Sequence, residues 1–218
     1  MERIFTQATK RINPKILALA QNYLPPGTKD VPAQPLIFTK PHSSILYKGE
    51  NLVINSKNQV NYEIELGVMI GKAGKNIAKQ QAFDYIGGYF LCLDMTDWDM
   101  QKANRKNGFP WDIGKGQDGF LPISDFIEKK DVKDPHNINL KLQINQKSEV
   151  DDNTKNMYFK IDDIIQYISQ YMTLNPGDFI LTGTPKLAPV ENGDKLFATL
   201  HQDGRQMAQI NVDVLRNA

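Results

Sequence analysis

Apolar residues in this chain fall into short runs separated by Pro, Gly, Asn-Gly and Asp-Gly punctuation, a pattern that predicts many strands and few helices. ILALAQNY (16–23) reads as an opening strand, and LIFTKP (36–41) as a short one ended by Pro41. Between them, LPPGTKDVPAQP (24–35) holds four prolines and one glycine and reads as a loop. Hairpin or edge strands are expected over 44–59, with a turn at Lys48-Gly49-Glu50-Asn51. VNYEIELGVMIGK (60–72) reads as a strand with Ile64, Leu66, Val68 and Ile70 on one face. Glu63, Glu65, Gly67, Met69 and Gly71 fall on the other. A short helix over 77–85 and a strand over 86–93 follow. The polar stretch 96–106 predicts a helix with Thr96 as N-cap, stopped by Gly108-Phe109-Pro110. WDIGKGQDGF (111–120) reads as a glycine-rich loop, and LKLQIN (140–145) alternates as a strand. Ile161, Ile164, Ile165, Ile168 and Met172 have helical spacing. Turns at 175–178 and 191–194 bracket FILTGTP (179–185), and Gln202-Asp203-Gly204-Arg205 closes a terminal hairpin. Strands outnumber helices, and neither a composition break nor an internal repeat marks a second unit. The expected fold is a single β-rich α+β domain over 15–218, preceded by an N-terminal tail or short extension at 1–14.

Composition narrows the function classes. Of 218 residues, 40% are hydrophobic and 23% charged, ordinary values for a globular protein. A net charge of +1 gives no electrostatic case for a nucleic-acid partner, and no apolar stretch approaches a membrane span. The lone Cys92 excludes an internal disulfide, favours a reducing compartment and reads as a core residue. The first fifteen residues carry four Lys/Arg against one Glu, which fits a basic tail or a short mitochondrial presequence. A cytoplasmic or mitochondrial location is expected.

Glu63 and Glu65 are the first candidate chemistry. At strand spacing both carboxylates point to one side of the sheet, where like charges repel unless a cation or solvent relieves them. Asp94, ending the run YFLCLD (89–94), is a third carboxylate at a strand end. Together they would form a hard, oxygen-only site suited to Mg²⁺ or Mn²⁺ rather than Zn²⁺. The same Glu-x-Glu spacing also arises on any half-exposed strand facing water. Glycine beside the pair leaves room for a ligand to approach. Gln101, two turns after Asp94, and Lys115, between Gly114 and Gly116, are candidate ligand contacts. The rim Thr182-Gly183-Thr184-Pro185 can bind a carboxylate or serve only as a turn. His42, His136 and His201 lack metal-ligand spacing; His42 reads as structural and the others as surface residues. No GxSxG, P-loop or HExxH occurs, which removes serine-hydrolase, NTPase and zincin readings.

The ordered landmarks Asn22-Tyr23, FTKP (38–41), NYEIELGVMIGK (61–72), YIGGYFLCLDMT (85–96), GFPWDIGK (108–115), DPHNINL (134–140) and LTGTP (181–185) resemble the fumarylacetoacetate hydrolase family. Within it they are most similar to the acylpyruvase-like branch, and the resemblance runs from about residue 15 to the end. It implies the family's mixed β-roll, as a homodimer. It implies Glu63, Glu65 and Asp94 as ligands of Mg²⁺ or Mn²⁺. Gln101 and Lys115 would be catalytic, and Thr184, Gly183, Tyr23 and Lys40 substrate-binding. The substrates would be small 2-oxo acids with a second carbonyl, such as acylpyruvates or oxaloacetate. A cation with open positions would chelate the carboxylate and 2-oxo oxygens and act as electron sink for the enolate formed when the C3 bond breaks. Lys115 would neutralise the same charge.

Departures from the family pattern bear on the reaction. Hydrolytic members follow Asn-Tyr with a short helix bearing a water-activating His and Glu, whereas here the stretch is Leu24-Pro25-Pro26-Gly27-Thr28-Lys29-Asp30. Gln21 and Trp98 stand where Arg is usual, and Lys186-Leu187-Ala188 replaces a glycine-rich run. Losing a general base removes roughly 10²–10⁴-fold from C–C hydrolysis; Asp30 and His42 are possible replacements. Three readings follow: C–C cleavage of acylpyruvates or oxaloacetate decarboxylation, keto–enol tautomerisation of oxaloacetate, and a metal-binding pseudoenzyme that senses a ligand.

Overall fold

A computed structural model describes residues 13–25, 27, 28 and 31–217. The tail expected at 1–14 lies outside them except for Asn13 and Pro14, as do Pro26, Lys29 and Asp30 of the following loop. The strands in chain order begin with β1 (Ile16–Ala20), β2 (Leu36–Lys40), β3 (Ile45–Leu46), β4 (Leu52–Ile54) and β5 (Val60–Ile70). Next come β6 (Ile86–Leu93), β7 (Thr96–Asp97), β8 (Leu121–Pro122), β9 (Ile127–Glu128) and β10 (Asn139–Ile144). The series ends with β11 (Lys147–Asn153), β12 (Phe179–Leu181), β13 (Leu187–Pro189), β14 (Lys195–Gln202) and β15 (Arg205–Arg216). The α-helices are α1 (Trp98–Asn107), α2 (Asp112–Lys115) and α3 (Ile161–Tyr171). The fold is strand-rich α+β.

The main sheet runs β2-β1-β12-β5-β6-β9, with β7 and β13 pairing the start of β5. A second sheet runs β11-β10-β14-β15-β4. Both are mixed: β1 pairs β12 in parallel and β15 pairs β4 in parallel. Residues 44–59 therefore form edge strands and not a hairpin, since β3 pairs β8 and β4 pairs β15. The terminal hairpin turns through Asp203 and Gly204, both at positive φ, as a two-residue loop requires.

Apolar side chains of β5, β6, β10, β14, β15 and α3 meet in one core. The isoleucines Ile161, Ile164, Ile165 and Ile168 give α3 its buried stripe. Strand β5 is covered on both faces: every residue is buried except Met69. The acidic pair thus stands inside the protein, and not on a half-exposed strand. The space beside Gly67 is not open to a ligand either. The Phe90 ring fills it, and a Cβ there would come within 2.3 Å of that ring.

Helix α1 begins one residue later than expected. Asp97, not Thr96, is the N-cap, accepting from the Met100 N–H at 3.0 Å. Gly108, at φ 69°, ends the helix in the left-handed conformation. The glycine-rich stretch after it winds into the single turn α2, which carries Lys115 into the interior. Gly116 there serves packing, because a Cβ would meet Pro41 Cδ at 2.6 Å.

Candidate functional site

Strand register assembles the acidic cluster. In the antiparallel pair β5–β6, Ile64 lies opposite Leu93. Asp94, the first residue past β6, therefore falls opposite Glu63, and its N–H donates to the Glu63 carbonyl at 2.8 Å. Glu65 follows two residues along β5 and projects to the same side. One carboxylate oxygen from each of Glu63, Glu65 and Asp94 lies within 4.8 Å of the others. All three are buried.

Two buried ammonium groups face this cluster. Lys115 Nζ donates to Glu63 Oε1 at 2.8 Å and to Asp94 Oδ2 at 2.7 Å. Lys40 Nζ donates to Asp94 Oδ1 at 2.6 Å, to the Met95 carbonyl at 3.2 Å and to the Lys115 carbonyl. Thr96 Oγ1 donates to Glu63 Oε1 at 2.7 Å, and the Gly183 N–H to Glu65 Oε2 at 2.6 Å. Gly183 accepts φ 92°, and a Cβ there would strike Asn22 Cβ at 2.7 Å. Asn22 holds this corner: its amide donates to the Thr182 carbonyl at 2.8 Å and the Phe159 carbonyl at 3.0 Å.

The charges respond to this crowding. Burial, then the Asp94 and Glu63 charges, push the Glu65 carboxyl well above its ordinary range, against the pull of Lys115 and the Gly183 amide. Burial also works against the Asp94 charge, but Lys115 and Lys40 outweigh it and hold Asp94 below its usual value. For Lys115, burial is overcome by Asp94 and Glu63, so its ammonium is held above its ordinary value. Lys40 is lowered, by burial first and by Lys115 in part, with Asp94 opposing.

The residues suit a hard divalent cation. Their donors are carboxylate oxygens alone, and the Oε1 of Glu65 is buried without a hydrogen-bond partner. A buried carboxylate oxygen left unpaired is costly unless a cation completes its environment.

Above the cluster opens a cleft of about 260 Å³. Of the residues expected in a site, Glu63, Gln101, Lys115, Tyr23 and Thr184 line it. Gln101, on α1, is buried with its Oε1 unpartnered, and the Tyr23 hydroxyl is likewise buried and unpartnered. Burial, then Glu65, raise the Tyr23 hydroxyl above its ordinary value and keep it protonated. Two expected substrate contacts do not reach the cleft. The side chain of Lys40 is fully buried on Asp94 and two carbonyls, and the Gly183 amide is taken by Glu65. His42 sits on a 3-10 turn away from the lining, and Asp30 lies outside the described residues. His136 is not a plain surface residue: its Nε2 accepts from the Ile161 N–H at 3.1 Å, at the start of α3.

The sequence reading did not single out Trp111 or Arg105, which also line the cleft. Arg105 sat in a stretch read only as a polar helix. Its signal was the stripe Trp98, Gln101, Arg105 at i, i+3 and i+7.

Comparison with known proteins places this site in a family. Residues 13–211 match the family model for the fumarylacetoacetate hydrolase C-terminal domain. A mitochondrial oxaloacetate tautomerase of Arabidopsis thaliana is 38% identical over 221 residues, covering 99% of this chain and 95% of the relative. A mitochondrial oxaloacetate decarboxylase of Dictyostelium discoideum is 40% identical over 185 residues, covering 82% of this chain and 85% of the relative. The crystal structure of fumarylpyruvate hydrolase from Pseudomonas aeruginosa, in complex with Mn²⁺ and pyruvate, superposes with TM-score 0.85 at 27% identity. That match covers 94% of this chain and 91% of the other. With sequence match, fold and acidic cluster in agreement, the chain belongs to the fumarylacetoacetate hydrolase family.

Proposed function

We propose that residues 15–218 form one catalytic unit, a divalent-cation-dependent enzyme that interconverts the enol and keto forms of a small 2-oxo acid bearing a second carbonyl. The carrying observation is the composition of the cleft wall. Among the described lining residues, Glu63 is the sole carboxylate and there is no histidine. Hydrolysis needs a base to activate water, whereas tautomerisation needs only charge stabilisation and a mobile proton. The Arabidopsis relative, an oxaloacetate tautomerase by name, supports the same reading.

Glu63, Glu65 and Asp94 would hold Mg²⁺ or Mn²⁺, which supplies a Lewis acid for the substrate's carboxylate and 2-oxo oxygens. Lys115 Nζ, held protonated at the floor of the cleft, faces the negative charge that develops on the 2-oxo oxygen. It gives a proton to C3 and takes back the one released by the enol hydroxyl, so no proton is gained or lost overall. Gln101 and the Tyr23 hydroxyl orient the acid from the walls, and Thr184 closes the rim. Lys40 does not touch substrate; it fixes Asp94 and the Lys115 carbonyl.

Oxaloacetate decarboxylation is the second reading, favoured by the name of the Dictyostelium relative and by a shared need for the same cation and ammonium. The assembly expected with either reading is a homodimer, and exposed Phe109 and Ile113 at the α1–α2 corner are apolar surface that a second copy would cover. No helix among the described residues is long and apolar enough to cross a membrane. The deciding experiment supplies Mg²⁺ and oxaloacetate and follows enol loss and pyruvate formation separately, with acetylpyruvate as a parallel substrate. Faster enol loss without pyruvate supports tautomerisation, pyruvate supports decarboxylation, and acetylpyruvate cleavage would overturn the preference against hydrolysis. Silence on all three with Mg²⁺ still bound would leave a ligand-sensing pseudoenzyme.

A further inference from the structure

The cleft has a second charged end that the acidic cluster does not explain. Trp98, Gln101 and Arg105 form one stripe of α1 along its wall. The Arg105 guanidinium lies over the Trp111 ring, 5.8 Å from its centroid. Trp111 packs on Phe38 at 5.9 Å between ring centroids, and Lys115 Nζ sits 4.8 Å from the Phe38 centroid. This cation–aromatic–aromatic–cation series links Arg105 to the floor lysine through two rings tilted by 54°. A guanidinium beside a ring can still receive a planar anion on its N–H groups. Among the described residues no carboxylate pairs with Arg105 in an ion pair.

Lys186 supplies a second cation to the same lining, from the segment after Thr184. Its Nζ donates to the Glu149 carbonyl at 2.7 Å and to Glu149 Oε2 at 3.1 Å, a partly exposed pair of modest strength that an incoming carboxylate can compete with. Apart from Glu63 on the acidic cluster, the described lining offers no negative group. One end of the cleft would thus hold a cation for the 2-oxo carboxylate, while the rim presents Arg105 and Lys186.

We infer that Arg105, assisted by Lys186, anchors a second carboxylate of the substrate, so that the cleft selects a dicarboxylic 2-oxo acid over an acylpyruvate whose distal end is an uncharged ketone. The inference rests on the reading of the site above, but only on the substrate's 2-oxo carboxylate end lying at the acidic cluster. Arg105 is then a specificity residue and takes no part in proton movement. The selectivity comes from the bidentate fork, which a carboxylate fills and a methyl ketone leaves unpaired.

The test compares wild-type protein with Arg105→Ala, Arg105→Lys and Lys186→Ala, all at exposed positions, in Mg²⁺. KM for oxaloacetate should rise roughly 10-fold in Arg105→Ala with kcat little changed, the loss expected for a charged hydrogen-bonding partner. Arg105→Lys should recover part of it, and Lys186→Ala should show a smaller rise. Oxalate, which fills the chelating end and has no distal group, should bind every variant with the wild-type Kd by calorimetry. An unchanged KM in Arg105→Ala with normal oxalate binding would overturn the anchor and leave the site reading standing. A parallel loss of oxalate binding would also overturn the anchor, since Arg105 would then act on the wrong end. Failure of the wild-type protein to bind oxalate would overturn both.

Discussion

Lys40 Nζ lies 2.6 Å from Asp94 Oδ1, and both side chains are fully shielded from solvent. A buried ion pair is weak support for stability, yet breaking one strands the other charge. Lys40→Met would leave Asp94 with Lys115 alone and would orphan the Met95 and Lys115 carbonyls. The expected loss is about 3–5 kcal/mol, measured by urea unfolding without metal. A loss below about 1 kcal/mol, the level of an exposed pair, would show that Lys40 does not hold the site floor.

The metal-free protein should lose stability as pH rises through the range in which buried Glu65 ionises. Its folded value is raised, first by burial and then by Asp94 and Glu63. Above the ordinary carboxylate value of about 4 the unfolded chain releases this proton while the folded chain keeps it. The contribution is thus fully present at low pH and lost as pH climbs through the raised folded value. Asp94 has the opposite sign: its value is lowered by Lys115 and Lys40 against burial, so its contribution is lost as pH falls through the folded value. Thermal scans in EDTA should show the first slope in wild-type protein and its absence in Glu65→Gln. The rise in Tm on adding Mg²⁺ should grow with pH; a rise independent of pH would contradict the assignment.

Gly67→Ala should destabilise by about 1–3 kcal/mol, the usual range for overpacking. A Cβ there would meet the Phe90 ring at 2.3 Å, and that ring is backed by Phe179 at 4.6 Å between centroids. Chemical unfolding of Gly67→Ala and of Gly67→Ala with Phe90→Leu checks this. The second change should recover part of the loss; no recovery would place the strain elsewhere.

The acidic trio was legible because its parts are local: a two-residue spacing and a strand end. Its closure was not, because it depends on Ile64 lying opposite Leu93, a long-range register that one sequence does not display. Lys40 illustrates a different limit. The segment FTKP placed it near the site, but only the packed structure shows its ammonium turned away from the cleft and onto Asp94. Gly67 was read as room for a ligand and Gly116 as the flank of a ligand contact, since a sequence shows a missing Cβ and not what fills the space. Phe90 and Pro41 fill it. Thr96 and Asp97 can both cap a helix, and the choice fell to Asp97 because the Thr96 hydroxyl bonds Glu63. Arg105 was missed although Gln101 of the same helix was singled out, because its place one turn further along the cleft wall shows only once the helix is packed.

Glu65 offers the most direct test of the account. Glu65→Gln preserves the shape of the side chain and an oxygen for the Gly183 amide, and removes one negative charge from the cluster. With Mg²⁺ present, wild-type protein should accelerate the disappearance of enol-oxaloacetate, and EDTA should abolish that acceleration. Glu65→Gln should be folded, should show no calorimetric Mg²⁺ binding in the range where the wild type saturates, and should leave the enol to decay at the uncatalysed rate. Wild-type turnover by Glu65→Gln would contradict the proposal that these three carboxylates hold the cation on which the reaction depends.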